Sequence, residues 1–154
     1  MLQFEYLLET EMNPNYLILL DSLRIKLEKA ISHLDYSYRN IDSSILQPEK
    51  MSEQELANWE SLTARFSRVS EIFLQRYLRT WILSRDPGFE GSFRDILNIA
   101  HKNGLIDSPD LWFSIREMRN RMAHEYEDSR LQILFEEVLS YSPHLLALKG
   151  KLTK

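Results

Sequence analysis

Apolar residues along this chain recur at intervals of three and four, never in a sustained alternation of two. That period predicts helices and no strands. The first helix is expected from Asn15 to Asn40, with Leu17, Leu20, Leu23, Leu27, Ala30, Ile31 and Leu34 as its buried stripe. A polar connection, 42–52, follows. Ser52-Glu53-Gln54-Glu55 then reads as a capping box, serine at the N-cap and glutamate three positions on. It opens a long second helix, Glu53 to Ser84, whose inward face runs Trp59, Leu62, Phe66, Val69, Phe73, Tyr77 and Thr80 before Asp86-Pro87-Gly88 ends it.

A third helix, Ser92 to Lys102, stops at Asn103-Gly104, a C-cap pair. Ser108-Pro109-Asp110 starts a fourth, with serine as cap and proline at the first helical position. The fourth helix carries Leu111, Ile115, Met118 and Met122. A fifth, from Arg130 to Tyr141 or beyond, turns Leu131, Leu134, Phe135, Val138 and Leu139 inward. The prolines Pro14, Pro48, Pro87, Pro109 and Pro143 mark breaks, and the lysine-rich tail after Gly150 is expected to fray. The product is an all-α helical bundle of about five helices, forming one domain over 1–154.

Composition narrows the chemistry. The chain has no cysteine, which excludes disulfides, zinc–thiolate sites and a thiol nucleophile and suits a reducing cytoplasm. Met1-Leu2-Gln3-Phe4-Glu5 lacks a basic leader, so no signal peptide is expected. No run approaches the ~18 uncharged apolar residues of a membrane span. The net charge of −4 is unlike a protein that coats nucleic acid, so any RNA contact must come from a local patch.

The fourth helix carries the one stretch that joins a fixed cation, a group titrating near neutrality and a modifiable hydroxyl: Arg119-Asn120-Arg121-Met122-Ala123-His124-Glu125-Tyr126. Such a set suits a phosphodiester, where negative charge builds up as a proton leaves the attacking oxygen. His124 would deprotonate a ribose 2′-OH or protonate the leaving 5′ oxygen. Arg119 would hold the phosphate with its permanently charged fork, and Asn120 would orient His124 or hydrogen-bond the scissile group.

The internal 2′-OH nucleophile makes a metal unnecessary, and no ligand cluster of good spacing or cofactor motif is visible. Arg116, Asn120 and His124 share one face at i, i+4, i+8, whereas Arg119 and His124 lie roughly 140° apart. Either the helix unwinds near Ala123, or two copies meet and pool their side chains. A homodimer with this helix at the twofold is the preferred solution.

The ordinary alternatives are a cation and an imidazole favouring a helix C-terminus, with Glu117–Arg121 a surface pair. On the second helix, Arg65, Arg68, Arg76 and Arg79 fall in one sector beside the apolar stripe. They could meet RNA or an acidic partner, or simply cover the edge of the core with their stems. Trp59, Trp81 and Trp112 read as core.

The string from Arg119 to Tyr126 resembles the signature of HEPN-domain proteins: an arginine, a polar residue, a short spacer and a histidine. The tyrosine two after the histidine resembles the HepT-type toxins of HepT/MNT toxin–antitoxin pairs. That resemblance implies a four-helix-bundle core and a dimeric, metal-independent endoribonuclease that leaves a 2′,3′-cyclic phosphate at a dimer-interface Arg119/His124 site. It implies a type VII-like system, in which a minimal nucleotidyltransferase of the MNT type acts as antitoxin by transferring AMP to the motif tyrosine, here Tyr126. Bulky anionic groups there would block the cleft and repel an RNA phosphate. The competing expectation is a non-catalytic helical subunit that binds the nucleotidyltransferase. A third is a structural dimer without chemistry.

Overall fold

Helical periodicity is realised throughout the computed structural model, which describes residues 14–122 and 128–152, with 128 and 129 as backbone only. The protein is all-α, a bundle of helices. Helix α1, Pro14–Asn40, begins at the proline expected to break the chain. A first-turn proline loses nothing, because its N–H would have no intrahelical partner there. Leu23, Leu27, Ala30, Ile31 and Leu34 are buried as expected, while Leu17 and Leu20 are half-buried.

A 3₁₀ turn, Pro48–Lys50, precedes α2. At the start of α2 the Glu55 amide donates to Ser52 Oγ at 3.1 Å, so the expected serine cap is made. Helix α2 is composite: α-helical over Glu53–Glu71, π-helical over Ile72–Tyr77, then α-helical again over Leu78–Arg85. In the π stretch the Leu78 amide reaches back five residues to the Phe73 carbonyl. All seven residues of the expected inward stripe are buried.

Helix α3, Phe93–Lys102, has a reciprocal cap that its sequence hid, because aspartate stands where glutamate is usual. The Asp95 amide donates to Ser92 Oγ at 3.2 Å, and the Ser92 amide donates to Asp95 Oδ2 at 2.8 Å. The Ser92 amide, and with it the Ser92 hydroxyl, donates to the ionised carboxyl and holds Asp95 below the ordinary carboxylate range. At the other end, the Leu105 amide bonds the Ala100 carbonyl and the Gly104 amide bonds the His101 carbonyl, with Gly104 at φ 73°. This is a Schellman closure, and its left-handed residue has to be glycine-like.

Helix α4, Pro109–Met122, starts as expected, with the Leu111 amide on Ser108 Oγ at 3.3 Å. Helix α5, Asp128–Leu146, corrects two expectations. It runs through Pro143 instead of breaking there. The proline sits in the last turns, so only the bond to Leu139 O is forfeited, and the helix tightens soon after into a 3₁₀ turn, Ala147–Gly150. The tail beyond does not fray at once, since Leu152 is buried.

The chain forms two compact units. One draws its described residues from 14–27 and Glu71–Phe113, the other from Glu28–Ser70 and 114–152. The first is built on aromatics, with Phe73 5.0 Å from Trp112 and 6.0 Å from Tyr77 between ring centres. It also holds a buried cation. Arg85 stacks on the Trp81 ring at 3.9 Å and donates to Trp81 O and Ser84 Oγ, and burial lowers its pKa from the usual arginine value. The second unit centres on Trp59 stacked on Phe135 at 5.0 Å, with Leu62, Phe66, Ile115 and Val138 fully enclosed.

Candidate functional site

In the second unit, α2, α4 and α5 leave a groove of about 970 Å³ between them. Helix α4 contributes Arg119, Asn120 and Met122. Ile115, Met118 and Met122 are buried, so at 100° per residue Arg119 falls beside the core stripe, whereas Asn120 lies about 140–160° from each of the three, on the outward side of the helix. Arg119 is half-buried and Asn120 is exposed. Two of the expected site residues are therefore brought to one cavity. The other two, His124 and Tyr126, lie outside the described residues.

The opposite wall comes from α2 and carries Glu60, Thr63, Ala64 and Ser67. Each of Glu60, Thr63 and Ser67 directly follows a buried stripe residue, Trp59, Leu62 or Phe66. They form a second polar file at i, i+3, i+7 along the edge of the stripe. Sequence reading missed them. The available signal was this one-residue offset, which looks like any helix flank until the facing helix is known. Helix α5 closes the groove with Leu131, Leu134 and Phe135. One atom in the wall is anomalous: Thr63 Oγ1 is buried and has no hydrogen-bond partner.

A smaller cleft of about 240 Å³ lies between α4 and α5, lined by Met118, Arg121, Arg130, Ile133 and Glu137 together with Met122 and Leu134. Met122 and Leu134 line the groove as well. Arg121 does not make the surface pair expected with Glu117. Its guanidinium instead bonds Glu137 at 2.8 Å, tying the end of α4 to α5.

The arginines of α2 are not one continuous row. Arg65 donates to His33 O at 3.1 Å and to Ser37 Oγ at 2.7 Å, so it fastens α2 to α1. Arg68, Arg76 and Arg79 are exposed. Arg76 lies within the π-helical stretch, whose wider turn departs from the angular step that aligned these residues on paper. Arg68 belongs to the second compact unit, Arg76 and Arg79 to the first. Arg116 is half-buried one turn before Asn120 and is not part of the groove wall.

Among the described residues there is no group of three or more acidic or histidine side chains placed to hold a metal. No helix among them is long and apolar enough to cross a membrane.

The family whose model matches this chain is described as nucleotidyltransferase substrate binding protein like, and the match runs over residues 25–154. No curated protein and no solved structure matches it.

Proposed function

Because the chain belongs to the nucleotidyltransferase substrate binding protein like family, the family of HepT-like HEPN proteins, we propose that it is the HepT-type toxin subunit of a toxin–antitoxin pair. In this reading it is a metal-independent endoribonuclease, and a partner nucleotidyltransferase silences it by adding AMP to Tyr126. The observation that carries the reading is the shared groove: Arg119 and Asn120, the first two residues of the motif, line a cavity of about 970 Å³. His124 follows the groove residue Met122 by two positions in the chain.

RNA would lie with its scissile phosphate at the Arg119 guanidinium. One imidazole takes the 2′-OH proton as that oxygen attacks phosphorus. The bond from phosphorus to the 5′ oxygen breaks, and a second imidazole returns a proton to the leaving oxygen. The arginine fork offsets the charge that gathers on the non-bridging oxygens. Two copies of the chain would supply the two imidazoles, which resolves the angular separation of Arg119 and His124 on one helix. AMP on Tyr126 would add bulk and negative charge next to a site that must admit a polyanion.

The test is RNA cleavage by the purified protein beside Arg119→Ala and His124→Ala. The reading expects cleavage in EDTA by the parent and none by either variant, with unchanged helical content. Cleavage by both variants at the parental rate removes the assigned roles. Incubation with the partner and ATP should add one or more AMP masses, and Tyr126→Phe should prevent it.

A second reading has its own support in the family description, which names substrate binding for a nucleotidyltransferase. The subunit would then dock the transferase without cutting RNA. Intact RNA in every condition, together with a stable complex with the transferase, would favour it.

A further inference from the structure

Helix α1 carries apolar side chains on two opposite sides. Leu23, Leu27, Ile31 and Leu34 are enclosed. On the far side Ile18 is 71% exposed, Ile25 55% and Tyr36 63%. A helix that packs by one face ordinarily turns a polar face to water. Apolar residues scattered singly over a surface need no explanation, whereas apolar residues gathered on one exposed face mark a contact surface.

The spacing says what kind of contact. At 100° per residue Ile18, Ser22, Ile25, Lys29, Ser32 and Tyr36 fall within about 40° of one line. All six are exposed, and the steps between them alternate between four and three. That is the spacing of the a and d positions of a coiled coil. Ser22, Lys29 and Tyr36 then take a, and Ile18, Ile25 and Ser32 take d. The same register fixes the flanks. The g positions, one before each a, are Asp21, Glu28 and Asp35. The e positions, one after each d, are Leu19, Lys26 and His33. One edge of the strip is acidic along its whole length, and the other carries no acid.

Two such helices side by side, parallel and in register, set the g edge of each against the e edge of the other, five residues further on. Asp21 then meets Lys26 of a second copy, Glu28 meets His33, and twofold symmetry makes each pair twice. An antiparallel arrangement would set the acidic edge against itself. The strip is therefore complementary to itself in one orientation. We infer that it is a contact between two copies of this chain, α1 against α1, parallel and in register. Asp21 is held by Arg24 of its own helix at 2.6 Å and stays exposed at the strip's edge. Lys29 at an a position fixes register at a cost in strength, so the pairing is reversible. It is a different contact from the α4 pairing of the proposed function, and it stands whether or not the chain cuts RNA.

The chain has no cysteine, so one introduced thiol reads the contact directly. In the full-length protein, Ser22→Cys places that thiol at an a position. In-register pairing brings it against its own copy, within the Cα separation of about 6 Å that a disulfide needs. Mild oxidation should then link two chains. Asn98→Cys, exposed on α3, should stay unlinked at the same protein concentration. Within the Ser22→Cys protein, Ile25→Glu should abolish linking. Lys26→Glu sets an acid against Asp21 and should raise the concentration for half-maximal linking about tenfold. Adding Asp21→Lys rebuilds the pair in reverse and should bring that concentration back to within about twofold. Positions 21 and 26 lie about 140° apart on one helix, so such a rescue arises between copies.

No link through Ser22→Cys, equal linking through Asn98→Cys, or linking that survives Ile25→Glu overturns the inference. Should Ile25→Glu fail to fold, the charge exchange decides alone, and a missing rescue sinks the parallel pairing. A Ser22→Cys thiol that a maleimide cannot reach in the single chain shows that another part of the chain covers the strip. If Ile25→Glu and Lys26→Glu weaken transferase binding while the chains never link, the strip belongs to the transferase. Either result also removes the inference.

Discussion

Helices α2 and α5 both carry an apolar stripe at helical spacing, yet the second compact unit treats them differently. Trp59, Leu62, Phe66 and Val69 of α2 are completely enclosed. On α5, Phe135 and Val138 are enclosed, but Leu131, Leu134 and Leu139 are half-buried and Ile133 is 53% exposed. Intrinsic hydrophobicity does not explain the contrast, since leucines occupy both. Packing partners do: α2 has neighbours along its whole inward face, whereas two hollows lie along the first half of α5. Both helices border the groove holding Arg119 and Asn120, but α2 presents only flank residues to it, whereas α5 presents its apolar stripe, Leu131, Leu134 and Phe135. Enclosure marks where the chain spends its sequence on stability, and incomplete enclosure marks where the proposed chemistry sits.

The sharpest test of that contrast is catalytic. Arg119→Ala should lower RNA cleavage by about 10²–10³ through loss of charge stabilisation, and His124→Ala by about 10²–10⁴ through loss of proton transfer. Both should unfold in urea at close to the parental midpoint, because neither assigned role belongs to the enclosed core. A large fall in midpoint for Arg119→Ala would mean that this residue is structural and would erase the distinction.

Stability should then divide the two stripes. Phe66→Ala empties a fully enclosed site and should cost about 3–5 kcal/mol, read from chemical denaturation. Leu134→Ala borders space that is already open and should cost about 1–2 kcal/mol. Equal costs would show that α5 is as tightly held as α2 and break the comparison.

A smaller effect comes from the first unit, where local chemistry alone sets the value. Ser92→Ala removes the cap of α3 and should cost about 1 kcal/mol at neutral pH. Asp95 has a depressed pKa in the folded chain because Ser92 bonds its ionised form. Its contribution is therefore fully present above the unfolded carboxylate value, about 3.9, and is lost as pH falls from there through the folded value. Denaturation profiles of the parent and Ser92→Ala should draw only partly together across that acid window, because alanine keeps the backbone N–H bond to the carboxylate and loses the hydroxyl's, and should stay parallel above it.

Much of this fold is legible in the amino-acid sequence. The stripes of α1, α2 and α4, the serine caps at Ser52 and Ser108 and the glycine stop at Gly104 all follow from spacing and from residue-specific backbone chemistry, which are local. What escaped reading depended on partners. Pro143 looks like a break unless one knows that it falls in the closing turns of α5. Arg65 looks like a free surface cation until α1 supplies a carbonyl and a hydroxyl to hold it. The π-helical stretch is written in no single residue. At the site, Arg119 and Asn120 are legible because they open the stretch that joins a fixed cation, a histidine and a tyrosine within eight residues. Glu60, Thr63 and Ser67 were not, because what makes a helix edge a wall is the helix across from it.

Met122 and Leu134 line both hollows of the second unit, so the two spaces share part of a wall. Changing the bulk of either side chain should therefore alter the small compartment beside the Arg121–Glu137 bridge and the large one beside Arg119 together.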